Sequence, residues 1–152
     1  MRKWALAALG AGAALAYSGF PRRVGVTRSQ ADLSLPGDLL LPTADVQADR
    51  AHEFGATPAE LWPAVLAVED LYAYLWDRPL TVVAEEPGEL LILATPSHLD
   101  DWHATLTAAL LPSTDGRTVV HLRERYQGKR PLTVTTALAA PLTWIRISRS
   151  LA

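Results

Sequence analysis

Three ionisable side chains on two alternating stretches of the sequence have the types and spacing to do chemistry on one face of a sheet. The stretch 45–54, DVQADRAHEF, alternates as a strand does and places Arg50 and His52 on one face. The stretch 117–126, RTVVHLRERY, places Glu124 among apolar residues. A histidine and a carboxylate in such surroundings can pair, orient a polar ligand group, or act as acid and base. The favoured interpretation is that the two side chains satisfy each other's hydrogen-bonding groups. Orientation of a ligand is less favoured, and catalysis is favoured least.

A second polar group, HLDDWH at 98–103, contains two histidines and two carboxylates, which are ligand types for zinc or a harder divalent cation. Successive side chains of a strand point to opposite faces, so a polar turn with solvated charges is favoured and no metal or other cofactor is predicted. The chain has no cysteine, which excludes disulfides, thiolate metal sites and cysteine nucleophiles. It also has no Gly-x-Ser-x-Gly elbow, so the usual hydrolase classes lack support.

The composition is that of one globular domain with a strongly apolar N-terminal segment. The 152 residues carry a net charge of −2 and no cluster of Lys and Arg, which argues against nucleic acid as a partner. Residues 4–20 are uncharged and are followed by Arg22 and Arg23. Because a membrane span needs roughly 17 to 25 residues, 1–23 is predicted to be a single helix that anchors the protein in a membrane. The alternative is a cleaved signal and a secreted protein, since ALA at 14–16 fits a small-x-small cleavage site.

After this segment, residues 24–43 are predicted to be a linker and lead-in, and residues 44–152 a single domain. The lead-in contains LPGDLLLP at 35–42, in which two prolines bracket three leucines. Proline fixes φ and removes a backbone donor, so this segment can neither extend a helix nor sit in a central strand. It is therefore expected to be an ordered lead-in to the first strand.

Two helices are predicted. The first begins after Thr57, because Thr57 and Glu60 form a capping box and Pro58 fits the first helical position. Pro63 is expected to kink it. The second covers the uncharged stretch 131–145 and is expected to lie against the sheet.

Strand patterns account for most of the remaining sequence. Pro87-Gly88 predicts a tight hairpin, and Ser113 to Gly116 predicts a second turn. The last strand is one-sided, with His121, Arg123 and Arg125 opposite its apolar residues, so an antiparallel sheet with one solvated face is expected. The predicted strands are 45–54, 80–86, 89–95, 102–111 and 117–126.

Six segments between Thr27 and Leu151 also carry a family resemblance: LPGDLLLP, DRAHEF, GATPAELWPAVL, VVAEEPGELLIL, STDGRTVVHLRERY and AAPLTWIRISRSL. They resemble the SRPBCC superfamily, and within it the bacterial membrane-anchored proteins related to polyketide cyclases and START-like lipid-binding domains. The resemblance implies an α+β helix-grip fold, in which a curved antiparallel sheet wraps around a C-terminal helix and encloses an apolar cavity. It also implies that the LPGDLLLP leucines cover an edge or an end of the sheet. The segment between Trp62 and Leu80 is shorter than in the relatives and the C-terminal helix is expected to end early, which leaves the size of the cavity open.

The function that the resemblance implies is binding of an apolar or amphipathic small molecule, a lipid or polyketide-like compound, by a domain tethered at the membrane. Two alternatives stay open: a cyclase or dehydrase with His52 and Glu124 as acid and base, and a scaffold whose cavity has closed. A binding protein is favoured over an enzyme, and no protein partner can be named. The predicted ligand-binding residues are Arg50, His52, Phe54, Trp102, Leu106, Leu122, Glu124, Tyr126 and Trp144.

Overall fold

The computed structural model of the chain describes residues 22–96, 102–128 and 133–151. In these residues a six-stranded mixed sheet has the strand order β1-β2-β6-β5-β4-β3. The short β1 pairs with β2 in parallel, and every other neighbouring pair is antiparallel. The parallel β1 was not predicted. The strands are β1 (Arg23–Val24), β2 (Val46–Phe54), β3 (Thr81–Glu86), β4 (Leu90–Ala94), β5 (Trp102–Pro112) and β6 (Thr118–Gly128).

The predicted strand bounds and turns are confirmed to within about two residues at each end. At Pro87-Gly88, the backbone N–H of Glu89 donates to the carbonyl of Glu86 at 2.9 Å. Gly88 has φ of +79°, which the third position of a type II turn requires and glycine adopts without strain. The chain therefore reverses at the residues that the sequence indicated.

Four α-helices accompany the sheet within the described residues: α1 (Arg28–Ala31), α2 (Pro58–Leu66), α3 (Val68–Trp76) and α4 (Thr133–Ser150). The capping box is confirmed, since the Thr57 side chain accepts from the Glu60 N–H while the Glu60 carboxylate accepts from the Thr57 N–H at 2.8 Å. The prediction of one continuous helix here is wrong. The chain continues past Pro63 and breaks at Ala67, whose ψ of −5° departs from helical geometry. Helix α4 extends to Ser150, past the predicted end at residue 145.

The core lies on one side of the sheet, here called the inner face, where α2, α3 and α4 cover it. Alternation directs the predicted apolar positions of β2 and β6 to this face, which confirms the predicted faces of both strands. Ile147 places α4 in the same core. The buried sheet residues include Ala48, Phe54, Leu91, Leu93, Leu106, Leu110, Val120 and Leu122.

The other side, the outer face, is not the solvated face that the sequence predicted. Residues 22–45, here called the outer layer, join the edge of the sheet through β1 and then cross this face, where they bury His121 and Arg123. A Cβ added at Gly37 would lie 1.9 Å from Thr107 Oγ1, so the 3₁₀ helix Pro36–Leu40 packs closely on β5. The prediction failed because backbone carbonyls of the outer layer supply acceptors that allow Arg123 to be buried. Of the LPGDLLLP leucines, only Leu41 is buried, while Leu35 lines a groove at one end of the sheet.

The predicted anchor falls almost entirely outside the described residues, although Arg23 from its predicted range belongs to β1. Residues 98–101 of the stretch HLDDWH, where a polar turn was expected, lie outside them too. Among the described helices, none is long and apolar enough to cross a bilayer.

Candidate ligand-binding site

A buried ion pair occupies the middle of the inner face. Arg50 on β2 and Glu124 on β6 form a salt bridge between side chains that are both fully buried. The hydroxyl of Tyr72, from α3, donates to Glu124 Oε1 at 2.7 Å. The hydroxyl of Tyr126 donates to Glu124 Oε2. The carboxylate thus collects three donors from two strands and a helix.

Two further side chains extend this group. Trp76 Nε1 donates to the Tyr126 hydroxyl at 3.0 Å, and Trp76 also meets the Tyr126 ring edge-on. Thr143, buried on α4, hydrogen-bonds the Tyr72 hydroxyl. We call these residues the inner network: Arg50, Tyr72, Trp76, Glu124, Tyr126 and Thr143. The inner network joins the sheet to α3 and α4, which pack beside each other on the inner face.

Burial controls the protonation of the inner network. It raises the pKa of the Glu124 carboxyl, and the positive charge of Arg50 opposes the increase in part. Burial, and then the charge of Glu124, raise the pKa of both the Tyr72 and Tyr126 hydroxyls well above the ordinary value for tyrosine. Both hydroxyls therefore stay protonated and serve as donors to Glu124.

His52 does not join Glu124, so the predicted acid and base pair is not formed. Glu124 lies opposite Ala48, four residues before His52 on β2, a separation of about 13 Å at roughly 3.3 Å per residue. His52 is exposed, and its ring lies 4.8 Å from that of Phe54 and 5.7 Å from that of Trp144. Arg50, which the sequence placed on the same face, is the partner of Glu124 instead.

The other predicted ligand-binding residues belong mainly to the core. Trp102 meets Trp76 edge-on at 6.0 Å, and Trp144 is half-buried against β2. The sequence analysis missed Tyr72, Trp76 and Thr143. The four-residue spacing of Tyr72 and Trp76 places them on one face of a helix, and that was the available signal. The remaining predicted residues, Phe54, Leu106, Leu122 and Tyr126, are buried.

An apolar groove opens at the end of the sheet where α2 begins. We call it the end groove; its volume is about 960 Å³. It runs between the first turn of α2, the β3–β4 turn and the last residues of β5. Trp62 and Leu110 contribute to its wall and are also members of the core, so the groove borders the core. Other lining residues include Pro58, Ala59, Leu90, Leu111 and Pro112.

A second buried network holds the outer layer to the outer face. Arg123 Nε donates to Asp49 Oδ1 at 2.6 Å, and His121 Nε2 lies 3.0 Å from the same oxygen. Arg123 also donates to Asp38 Oδ2 at 2.7 Å and to the Ala31 carbonyl at 2.8 Å. Burial by itself raises the pKa of Asp49, but hydrogen bonds from His121, Gln47 and Arg123 outweigh it and lower the pKa. We call Asp38, Asp49, His121 and Arg123 the outer network.

The two networks are expected to respond to pH in opposite directions. The lowered pKa of Asp49 gives stability that is present above its ordinary pKa of 3.8 and is lost as the pH falls through the folded value. The raised pKa of Glu124 gives stability that is present below 4.5 and is lost as the pH rises through the folded value. Urea unfolding of the wild-type chain, Asp49→Asn and Glu124→Gln from about pH 3 to about pH 8 measures both effects. The wild-type chain should exceed Asp49→Asn in free energy of unfolding by an amount that decreases towards acid pH. Its difference from Glu124→Gln should decrease towards neutral pH instead. The same pH trend for both differences would contradict the assignment.

Solved structures resemble this fold at low sequence identity. The crystal structure of DR_A0006 from Deinococcus radiodurans matches with a TM-score of 0.51 and 13% identity, over 68% of this chain and 95% of that one. CalU16 from Micromonospora echinospora has a TM-score of 0.49 and 10% identity, over 70% of this chain and 76% of its own. Norcoclaurine synthase from Thalictrum flavum has a TM-score of 0.33 and 11% identity, over 83% of this chain and 94% of its own. No protein-family model and no curated protein matches the sequence.

These similarities bear on the fold alone. The fold is α+β, a helix-grip in which a six-stranded mixed sheet packs against a C-terminal helix, and DR_A0006 shares this architecture. At such identities a shared fold carries no activity with it, because one fold supports many functions. Function must be argued from the groove and the networks.

Proposed function

We propose that this protein binds an apolar or amphipathic small molecule inside the helix-grip, with the end groove as the entrance. The observation that carries the proposal is the end groove, an apolar opening of about 960 Å³ whose wall includes the core residues Trp62 and Leu110. Ligand pockets commonly measure roughly 300–1,000 Å³ and are lined by apolar side chains. Removal of apolar ligand surface from water would supply the driving force.

The inner network supplies the polar part of the proposed site. Leu106 lies opposite Glu124 and is four residues from Leu110 on β5, so the network is about 13 Å from the groove wall at roughly 3.3 Å per residue. An extended molecule that enters through the groove along β5 would bring its polar end to this depth. Arg50 and Glu124 neutralise each other, and a charged head group would add an unbalanced buried charge. The proposed ligand is therefore uncharged.

The proposal includes the tether that the sequence predicts. Residues 4–20 are uncharged and apolar, and they would hold the domain at a membrane, where apolar ligands concentrate. An enzyme with His52 and Glu124 as acid and base is not favoured, because His52 is exposed and about 13 Å along β2 from the residue that faces Glu124. The closed scaffold remains as an outcome of the test.

Native mass spectrometry of the full-length chain released from detergent, followed by solvent extraction, tests the proposal. We expect a co-purifying apolar compound, or an adduct with monoolein that forms at lower concentration than an adduct with oleate. Ala59 is exposed in the groove lining, so Ala59→Phe should narrow the entrance and raise the monoolein concentration needed at least tenfold. Ala67→Phe, between α2 and α3 and outside the lining, is the matched control.

The outcomes separate binding from a closed fold. A clean apo mass with every member of a lipid and polyketide panel would overturn the proposal and favour the scaffold. Equal adduct formation by Ala59→Phe and Ala67→Phe would move the ligand away from the end groove. Tighter binding of oleate would overturn the preference for an uncharged head group.

A further inference from the structure

Three leucine side chains of the outer layer are exposed to solvent. Leu39 is 81% exposed, Leu33 is 58% exposed and Leu40 is 45% exposed. Leu39 and Leu40 end the 3₁₀ helix that Gly37 seats against β5, so their direction is fixed by a packed element. Single exposed leucines are common on protein surfaces. Here three lie within residues 33–40 of one layer, and Leu33 and Leu39 line the same pocket; we call the three leucines the patch.

The patch lies next to the point where the described chain begins. The backbone N–H of Asp49 donates to the carbonyl of Arg22 at 2.7 Å. Arg123 bonds the Asp49 carboxylate and, with its Nη1, the carbonyl of Leu33 at 2.5 Å and Asp38 beside Leu39 at 2.7 Å. The Arg22 carbonyl is thus joined through Asp49 and Arg123 to the segment that carries Leu33 and Leu39.

The sequence leaves almost no linker before this surface. The uncharged run ends at Phe20, and only Pro21 separates it from Arg22. Two residues span at most about 7 Å when fully extended. If the run lies in a bilayer, as the proposed tether requires, β1 and the outer layer must sit at the surface of that bilayer.

We propose that the outer layer is a membrane-docking face that inserts Leu33, Leu39 and Leu40 into the interfacial region of the bilayer. The inference rests on the tether in the proposed function and adds to it the orientation of the domain. The exposed arginines of the layer, Arg22 and Arg28, lie at head-group level, where amphipathic surfaces commonly carry basic residues. Asp32 and Asp45 balance their charge, so apolar insertion and not anionic lipid is the main attraction.

In this orientation the sheet lies between the membrane and the helices α2, α3 and α4, because the outer layer and these helices are on opposite faces. Tyr74 on α3 is 83% exposed and would point away from the bilayer. Leu39 and Tyr74 therefore report on opposite sides of the protein, and both are exposed enough to be replaced without disturbing the core.

The absence of cysteine from the chain makes the test direct. Full-length Leu39→Cys, Leu40→Cys and, as the matched control, Tyr74→Cys are labelled with the fluorophore NBD and reconstituted in 3:1 phosphatidylcholine–phosphatidylglycerol vesicles. Brominated lipids then quench probes that reach the acyl chains. We expect quenching at positions 39 and 40 to be at least threefold stronger than at position 74, with a blue-shifted emission.

Each other outcome overturns the inference in a distinct way. Protein that does not float with the vesicles overturns the tether and the docking face together, while ligand binding by mass spectrometry is unaffected. Floating protein with equal or reversed quenching keeps the tether and overturns the docking face. A blue shift at position 39 without bromine quenching, which grows with protein density, would assign the patch to a second copy of the chain.

Discussion

Arg50→Met is expected to lower the free energy of unfolding by about 3–5 kcal/mol, the usual cost of removing one member of a buried ion pair. Methionine keeps most of the volume of the side chain but leaves the Glu124 carboxylate in the core without a cation. The donors that remain are the hydroxyls of Tyr72 and Tyr126. Urea unfolding at neutral pH measures the loss.

The reciprocal change, Glu124→Gln, is expected to differ from Arg50→Met in its dependence on pH. A buried carboxyl can take up a proton and become neutral, and the raised pKa of Glu124 makes this easier. Arginine stays charged at every accessible pH, so Glu124→Gln leaves a cation in the core that cannot be neutralised. The cost of Arg50→Met should therefore fall towards pH 5, whereas the cost of Glu124→Gln should not.

The double variant Arg50→Met with Glu124→Gln measures how much of each loss is the unpaired charge. We expect it to be more stable than Glu124→Gln alone, because no buried charge remains and the amide oxygen still accepts from a tyrosine hydroxyl. Arg117→Met is the control: Arg117 pairs with Glu53 on the surface at 2.9 Å, with side chains 49% and 32% exposed, and should cost less than about 1 kcal/mol. Losses of that small size for Arg50→Met and Glu124→Gln as well would show that the inner network is not desolvated.

The local elements of this fold follow from short-range patterns, and for that reason the sequence predicted them. The capping box at Thr57 and Glu60 uses residues three apart, and Pro87-Gly88 defines its own turn geometry. Alternation placed Arg50 and Glu124 on the inner face, and so identified both members of the central ion pair. Each of these signals depends only on neighbours within one element.

The features that could not be predicted from the sequence depend on strand register and on packing between distant segments. Choosing Arg50 over His52 as the partner of Glu124 requires the β2–β6 register, in which Ala48 lies opposite Glu124. The solvated face predicted from His121 and Arg123 failed for a related reason. Charged residues on alternate positions normally face water, and only the carbonyls of a segment some 90 residues away in the chain made their burial possible.

Arg123→Met is expected to release the outer layer. Arg123 is buried, and its guanidinium bonds Asp38, Asp49 and carbonyls of the layer, so the replacement leaves buried acceptors on both the sheet and the layer without their donor. The loss should again be about 3–5 kcal/mol in the free energy of unfolding, since Asp49 remains buried with Gln47 and His121 as its side-chain partners and without the arginine cation. Part of this loss should appear as local opening.

Amide hydrogen exchange separates local opening from global destabilisation. In Arg123→Met we expect exchange in residues 27–45 to accelerate more than exchange in β4 and β5, because the layer has lost its anchor while the pairing of these strands is unchanged. Arg28→Met, which alters an exposed arginine of the same layer, is the matched control and should leave both regions unaffected. Uniform acceleration across the chain would mean that the layer and the sheet open as one unit. Unchanged exchange in the layer would mean that the fit of Gly37 against Thr107 and the pairing of β1 hold it, and that Arg123 is buried there without anchoring it.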